Sequence, residues 1–163
     1  MKDAATTSID NLQTALAMEL TAVNQYLLHA HTLDDWGLDR LAARMREEMQ
    51  EELDHAGRFI DRILFLGGTP VVQPAKTPKK AESLEELFEA DKTEEKGAIE
   101  FYTRSARQAF EDDDIGTRRL FERIVQDEEG HWEWLDLQLN LLKKLGEPAF
   151  MTNYMSGRTQ EED

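Results

Sequence analysis

Two Glu-x2-His pairs lie inside apolar helical patterns, and they constrain the fold more than any other feature of this sequence. Glu52 and His55 share one helix face, because the apolar residues around them recur at alternating steps of three and four. Those apolar residues are Leu41, Met45, Phe59, Ile63 and Leu66. Burying an ionised carboxylate is costly unless it is paired or binds a metal. A single such pair is commonly a chance feature of a solvated helix face, so one pair alone indicates little.

The pattern recurs 76 residues later, where Glu128 and His131 form a second pair in an apolar stretch. In each copy a lone glutamate lies 33 residues before the glutamate of the pair, and a tyrosine follows that lone glutamate seven residues later. The lone glutamates are Glu19 and Glu95, and the tyrosines are Tyr26 and Tyr102. Such agreement between two copies is hard to attribute to chance. It predicts four helices with six inward-facing ligands, and therefore a dinuclear metal site.

Four carboxylates and two imidazoles form an oxygen-rich donor set with two softer donors, which suits iron or manganese better than calcium. Four ionised carboxylates balance the charge of two divalent cations, which explains how they can be buried. Glu52 and Glu128 each lie one turn from a histidine, so we expect them to bridge the two metals. Glu19 with His55 would complete one metal position, and Glu95 with His131 the other.

Composition narrows the class of protein further. The net charge of −15 argues against nucleic-acid binding, which requires a basic surface. The absence of cysteine excludes disulfides and thiolate metal sites and fits a reducing compartment. The first ten residues are polar, unlike a signal peptide, and no apolar run is long enough to span a membrane. We therefore expect a cytoplasmic protein with no membrane or nucleic-acid partner.

The helical patterns predict an all-α fold in a single domain, residues 1–163. The bundle occupies about residues 8–145, with helices over about 8–35, 38–66, 83–110 and 117–145, then a short fifth helix over about 148–155. Residues 1–7 are expected to be a loose lead and 157–163 a disordered polar tail. The connection 67–82 contains three prolines and reaches roughly 50 Å when extended. The preceding helix is about 42 Å long, so the connection can cross over and make the second and third helices parallel.

Several segments resemble the bacterioferritins, over nearly the whole chain. These segments are ELTAVNQY at 19–26, DWGL at 35–38, RILFL at 62–66 and DEEGH at 127–131, followed by Trp134 and Leu135. The resemblance implies a ferritin-like bundle with one long crossover. It also implies a di-iron centre that oxidises Fe(II) with dioxygen or peroxide, and a hollow 24-subunit shell that stores ferric mineral. The ligands of that centre would be the six residues above, and Tyr26 would be an electron-donating tyrosine beside them.

This sequence departs from the family at three places. The haem-ligating methionine of the family is replaced by Leu53, so we expect no haem in a homo-oligomer. The chain would then form its shell alone or mixed with a haem-binding partner subunit. Glu47 replaces an inner-surface histidine of some members, and with Glu48 and Glu51 it forms either an internal iron-binding patch or a solvated acidic face. The segment 147–151 also diverges from the family, and the resemblance implies that this part of the chain lines contacts between subunits of the shell.

Two other functional interpretations remain open at this point. One is a small di-iron oxidase or peroxidase of the rubrerythrin type, without a storage cavity, although the lack of cysteine removes any attached rubredoxin domain. The other is a purely structural bundle, which leaves the six polar residues unexplained. Asp91, one turn before Glu95, would orient a ligand histidine or hold a water. His29 lies off the Glu19 face and is not expected to be a ligand, and the same holds for His31.

Overall fold

A computed structural model describes residues 2–156, with side chains from residue 5 onward. Within that range the chain forms five helices and no strand. The helices are α1 (Lys2–Asp35), α2 (Asp39–Phe65), α3 (Leu84–Glu111), α4 (Ile115–Leu145) and the short α5 (Glu147–Thr152). The fold is the expected all-α ferritin-like bundle with a short fifth helix. None of the helices in the described range is long and apolar enough to cross a membrane.

The start of α1 differs from the sequence-based prediction. Residues 2–7 were expected to be a loose lead, but they continue the helix without interruption. Ala4 and Ala5 are strong helix formers, and no proline or glycine interrupts the segment. The first turns lack apolar periodicity, and so periodicity alone missed them. The predicted disordered tail, 157–163, lies outside the described residues.

Glycines and a capping serine set the ends of the helices. Gly37 and Gly67 both have a φ of 80°, in the left-handed region that glycine adopts with little strain. These two glycines end α1 and α2. After α2 the Gly68 N–H donates to the Ile63 carbonyl at 2.9 Å, which closes a Schellman-type cap. Ser83 Oγ accepts from the Glu86 N–H at 3.1 Å and caps the start of α3.

The connection between α2 and α3 runs back along α1. The Gln13 carboxamide exchanges two hydrogen bonds with the Val71 backbone, both 2.8 Å. Thr21 Oγ1 accepts from the Ala75 N–H at 2.9 Å, and the Gln25 carboxamide pairs with the Lys79 backbone. Later residues of the connection therefore contact later residues of α1, so the connection and α1 run in the same direction. The connection is a crossover, so α2 and α3 are parallel.

Two apolar clusters fill the bundle, one on each side of a layer of buried acidic and histidine side chains that we call the polar band. The upper cluster includes Phe88 and Phe150, whose rings meet edge to face at 5.9 Å. The lower cluster includes Phe59, whose ring lies 5.6 Å from Tyr102 and 5.5 Å from Phe121. The buried acids and histidines lie between these clusters. Apolar packing therefore encloses the polar band on both sides.

Candidate metal centre

The four long helices bring the six predicted ligands to one place in the middle of the bundle. All six side chains are buried, with at most 5% of their surface exposed. α1 contributes Glu19, α2 contributes Glu52 and His55, α3 contributes Glu95, and α4 contributes Glu128 and His131. The two imidazole rings are nearly parallel, with centroids 6.4 Å apart. A buried group of four carboxylates and two imidazoles calls for a compensating charge.

The donor atoms fall into two overlapping groups. In each group, one ligand atom from every residue lies within 4.8 Å of the others. The first group contains Glu19, Glu52, His55 and Glu128, and the second contains Glu52, Glu95, Glu128 and His131. Glu52 and Glu128 belong to both groups, which is the arrangement that two bridging carboxylates require. Each group offers three carboxylates and one imidazole, a set that suits a divalent transition metal.

Unsatisfied carboxylate oxygens show that protein groups alone do not complete this centre. His55 Nδ1 is hydrogen-bonded to Glu52 Oε2 at 3.2 Å, and it also faces Glu128 Oε1 at 3.1 Å. His131 Nδ1 is hydrogen-bonded to Glu128 Oε2 at 3.1 Å and faces Glu52 Oε1 at 3.0 Å. One N–H cannot serve two acceptors well. Glu52 Oε1 and Glu128 Oε1 therefore have no hydrogen-bond partner although they are buried, and metal ions between them would satisfy both.

The electrostatics of the cluster separate the four acids into two kinds. Burial, together with the charges of Glu52 and Glu128, holds the pKa of both Glu19 and Glu95 well above the ordinary value. Burial opposes ionisation of Glu52 as well, but hydrogen bonds from the two histidines lower its pKa, and the pKa of Glu128 is lowered for the same reason. The lone glutamates therefore hold protons more readily than the shared ones.

The histidines behave in the opposite way from ordinary buried imidazoles. Burial disfavours the imidazolium, but hydrogen bonds with the surrounding carboxylates outweigh it and raise the pKa of both His55 and His131. Two imidazolium ions then balance the ionised Glu52 and Glu128. Without metal, the raised pKa values of Glu19 and Glu95 favour their protonated forms, which brings the cluster toward electroneutrality.

The two tyrosines of the repeat cross between the halves of the bundle. Tyr26 Oη, on α1, donates to Glu95 Oε1 on α3 at 2.6 Å, and Tyr102 Oη, on α3, donates to Glu19 Oε1 on α1 at 2.5 Å. Tyr26 was expected beside the metals, but the crossed partners of the two tyrosines were not foreseen. Burial and the neighbouring carboxylates raise the pKa of both phenols, so both remain protonated at neutral pH.

A carboxylate outside the six holds the outer nitrogen of each histidine. His131 Nε2 lies 2.9 Å from Glu51 Oε2, and His55 Nε2 lies 3.2 Å from Asp127 Oδ2. Sequence reasoning placed Glu51 in an acidic patch and missed Asp127. The repeat carries the signal, because Asp127 is 76 residues after Glu51 and each directly precedes a shared glutamate. These carboxylates orient the imidazoles so that Nδ1 points inward.

The structure excludes one of the two expectations for Glu48 and changes the partner expected for Asp91. Glu48 is buried, paired with Arg44, and its Oε2 lies 2.9 Å from His131 Nε2, so it is not part of a solvated face. Asp91 was expected to orient a ligand histidine or a water. Instead its Oδ2 lies 3.0 Å from Nδ1 of His29, a buried histidine outside the metal cluster. The antiparallel register of α1 and α3 places these two residues opposite each other.

Leu53 and Met49 lie on the outward side of α2. Leu53 is 46% exposed and offers no donor atom to a haem iron, while Met49 is partly buried against the upper apolar cluster. Leu53 therefore does not fit the part of a haem ligand on this face.

Comparisons with known proteins agree with the ferritin-like fold. The ferritin-like domain family matches residues 9–145. The bacterioferritin of Brucella melitensis is 41% identical over 142 residues, which cover 87% of this chain and 88% of that protein. The bacterioferritin of Mycobacterium tuberculosis is 39% identical and covers 89% and 91%.

Solved structures give the same result. The bacterioferritin of Rhodobacter capsulatus superimposes with a TM-score of 0.89 at 35% identity, covering 96% of both chains. That protein has a dinuclear site, metal-free in its crystal, and a haem iron on a crystallographic special position. The bacterioferritin of Desulfovibrio desulfuricans, solved with its di-iron site in different catalytic states, has a TM-score of 0.90 at 31% identity over 99% of this chain. The chain therefore belongs to the ferritin-like family and, within it, to the bacterioferritins.

Proposed function

We propose that this chain binds two iron ions in the centre described above, oxidises Fe(II) to Fe(III) and stores the product as ferric mineral inside a hollow shell. One observation carries the proposal. Two four-residue donor groups share Glu52 and Glu128, and each of these shared glutamates has a buried oxygen without a hydrogen-bond partner. The relatives that carry dinuclear or di-iron sites support the choice of iron.

Each ligand has a distinct part in this proposal. Glu52 and Glu128 would hold both ions, because each belongs to both donor groups. Glu19 with His55 completes one position, and Glu95 with His131 the other. Bound together, two Fe(II) ions supply two electrons, which with two protons convert dioxygen to hydrogen peroxide, or convert hydrogen peroxide to two waters. The chain's part is to hold the ions close together and to supply and remove protons.

Tyr26 is proposed as an electron donor close to the metals. Its hydroxyl donates to the ligand Glu95 at 2.6 Å, so the phenol can pass its proton to that carboxylate when it loses an electron. Tyr102 makes the equivalent contact with Glu19. The geometry does not distinguish the two tyrosines. We assign the donor role to Tyr26 from the family resemblance.

Storage requires an assembly, and we propose the homo-oligomeric 24-subunit shell implied by the family. The same six residues in every subunit would supply oxidised iron to one cavity. Because Leu53 offers no donor atom, haem in such a shell would require a second, haem-binding type of subunit. We propose a cytoplasmic location, where soluble Fe(II), dioxygen and peroxide are available.

Aerobic titration of the metal-free protein with Fe(II) tests the proposal. We expect a fast phase that ends at two irons per chain, followed by continued growth of soluble mineral in a large particle. Glu52→Gln removes one bridging charge and should abolish the fast phase while leaving the helical circular dichroism unchanged. Glu100→Gln, an exposed change on α3, is the matched control and should oxidise iron like the unmodified chain.

The same titration separates storage from the rubrerythrin-type alternative. A fast phase in a small oligomer that precipitates beyond two irons per chain would favour a non-storage oxidase. Equal oxidation rates in Glu52→Gln and the unmodified chain would refute the centre itself.

A further inference from the structure

A cavity of about 200 Å³ lies between α1 and α3, beneath the connection 66–83. Its inner end is formed by the four carboxylates of the metal centre, Glu19, Glu52, Glu95 and Glu128, and neither histidine lines it. Its outer end includes Lys76 and Glu94, whose side chains are 59% and 50% exposed. The cavity therefore leads from the surface to the side of the centre opposite the histidines.

Two alanines leave the space open. Ala22 lies one turn after Glu19 and Ala98 lies one turn after Glu95, and both line the cavity. They occupy the same position in the two copies of the repeat, 76 residues apart. A methyl group is the smallest side chain that a helix carries without the cost of glycine. Any larger side chain at these positions would project into the gap between the two helices.

The crossover connection forms a fixed roof over this space. Lys76, Thr77 and Lys79 line the cavity, and hydrogen bonds to α1 hold the backbone beside them. The Gln25 carboxamide accepts from the Lys79 N–H and donates to the Lys79 carbonyl, both at 2.9 Å. The Gln25 amide also contacts His29 Nε2 at 2.8 Å, and His29 in turn pairs with Asp91. The roof is thus anchored to side chains buried between α1 and α3.

Outside the metal centre, the charges along the cavity do not favour a cation. The two carboxylates that line it outside the metal centre are both engaged, since Glu94 lies 2.5 Å from Lys76 and Asp91 lies 3.0 Å from His29. On the histidine side, by contrast, Glu51 and Asp127 are 53% and 42% exposed, close to the imidazoles. An incoming metal ion would be attracted to that acidic side. Apolar groups such as Met18 and the two alanines suit a small uncharged molecule.

We infer that this cavity admits and binds the oxidant, a small uncharged molecule such as dioxygen or hydrogen peroxide, on a path separate from that of the metal ion. The inference rests on the proposed ferroxidase function. The oxidant meets the centre from the carboxylate side and accepts one electron from each of two Fe(II) ions. With two protons, dioxygen then leaves as hydrogen peroxide, and hydrogen peroxide leaves as two waters.

Ala98→Leu tests the inference by adding an isopropyl group to the cavity. The protein is first loaded with Fe(II) without oxygen, then mixed rapidly with dioxygen or hydrogen peroxide over a range of concentrations. We expect the apparent second-order rate constant for the oxidant to fall about tenfold or more, equivalent to about 1.4 kcal/mol in the barrier. Anaerobic titration with Co(II) should still end at two ions per chain. Ala43→Leu, the same change at an exposed position of α2 that does not line the cavity, should leave the rate constant unchanged.

The outcomes separate this inference from the proposed function. Unchanged oxidant dependence in Ala98→Leu, with two Co(II) bound, would overturn the inference and leave the ferroxidase intact. An unmodified chain that binds two Co(II) but oxidises no Fe(II) would instead overturn the proposed function. If Ala98→Leu fails to bind two Co(II), the same rate constant is measured for the smaller change Ala22→Val. The same results then support or overturn the inference. A loss confined to one oxidant identifies the molecule that the cavity admits.

Discussion

Loading the centre with two divalent ions should release about four protons per chain. Two come from Glu19 and Glu95, whose pKa values burial and the shared glutamates hold well above the ordinary range. Two more come from His55 and His131, whose inner nitrogens each face the carboxylates. Metal binding needs the carboxylates ionised and these nitrogens free of protons. The centre stays near electroneutral throughout, because two divalent ions replace four protons.

The magnitude follows from this stoichiometry. All four groups bind protons more tightly in the metal-free centre than at ordinary sites, so raising the pH favours metal and lowering it favours protons. Each released proton changes the overall binding constant about tenfold per pH unit. Release of four protons therefore changes the overall binding constant for two metal ions by about 10⁴ per pH unit, or about 5 kcal/mol in binding free energy.

Calorimetry measures the proton count directly. Co(II) is titrated into the metal-free protein at about pH 6, in buffers that differ in their enthalpy of ionisation. The dependence of the heat on the buffer gives the number of protons released. Glu19→Gln has no proton to lose at that position and should release about three protons. Glu100→Gln, a change at an exposed position of α3, should match the unmodified chain.

A release of two protons or fewer would refute this account of the charges. It would mean that the lone glutamates are already ionised, or that the imidazoles are already neutral, before metal arrives. A release of four protons that Glu19→Gln leaves unchanged would show that the protons come from other groups.

Two further predictions concern the cap of α3 and the outer face of α2. Ser83→Ala removes the acceptor of the Glu86 N–H and should lower the free energy of unfolding by about 1 kcal/mol, measured by chemical denaturation of the metal-free protein; an unchanged midpoint would contradict the capping role. The purified homo-oligomer should show no Soret band, since Leu53 has no donor atom, whereas Leu53→Met should gain one when haem is supplied. A stoichiometric band in the unmodified protein would show that another residue ligates haem.

The clustering of the six residues was predictable because they violate the apolar pattern twice at one fixed spacing. Glu52 and His55 interrupt an apolar face, and Glu128 and His131 interrupt its counterpart, so the repeat identifies the inward positions. The helix ends at Gly37 and Gly67 were equally visible, since glycine tolerates the left-handed conformation that such ends adopt. Local rules and periodicity suffice for features of this kind.

Contacts that depend on the register between helices were not predictable in this way. Tyr26 bonds to Glu95 rather than to a group on its own helix, and Asp91 meets His29 across 62 residues of sequence. Helical periodicity predicts which way a side chain points from its own helix, but not which residues of a neighbouring helix lie at the same level. The cavity was missed for the same reason, because two alanines on separate helices become a gap only once those helices are aligned.

The polar band between the two apolar clusters also makes the stability of the folded chain, and hence its rate of degradation, depend on bound metal. The folded chain brings together metal-binding groups from four helices, whereas an unfolded chain does not assemble them. A ligand that binds only the folded state stabilises it by about 2.7 kcal/mol when present at 100 times its dissociation constant. Iron supply would thus tune how often the chain opens and how readily proteases degrade it. If the bound metal is iron, metal-free chains would unfold more often than loaded ones and would be degraded sooner.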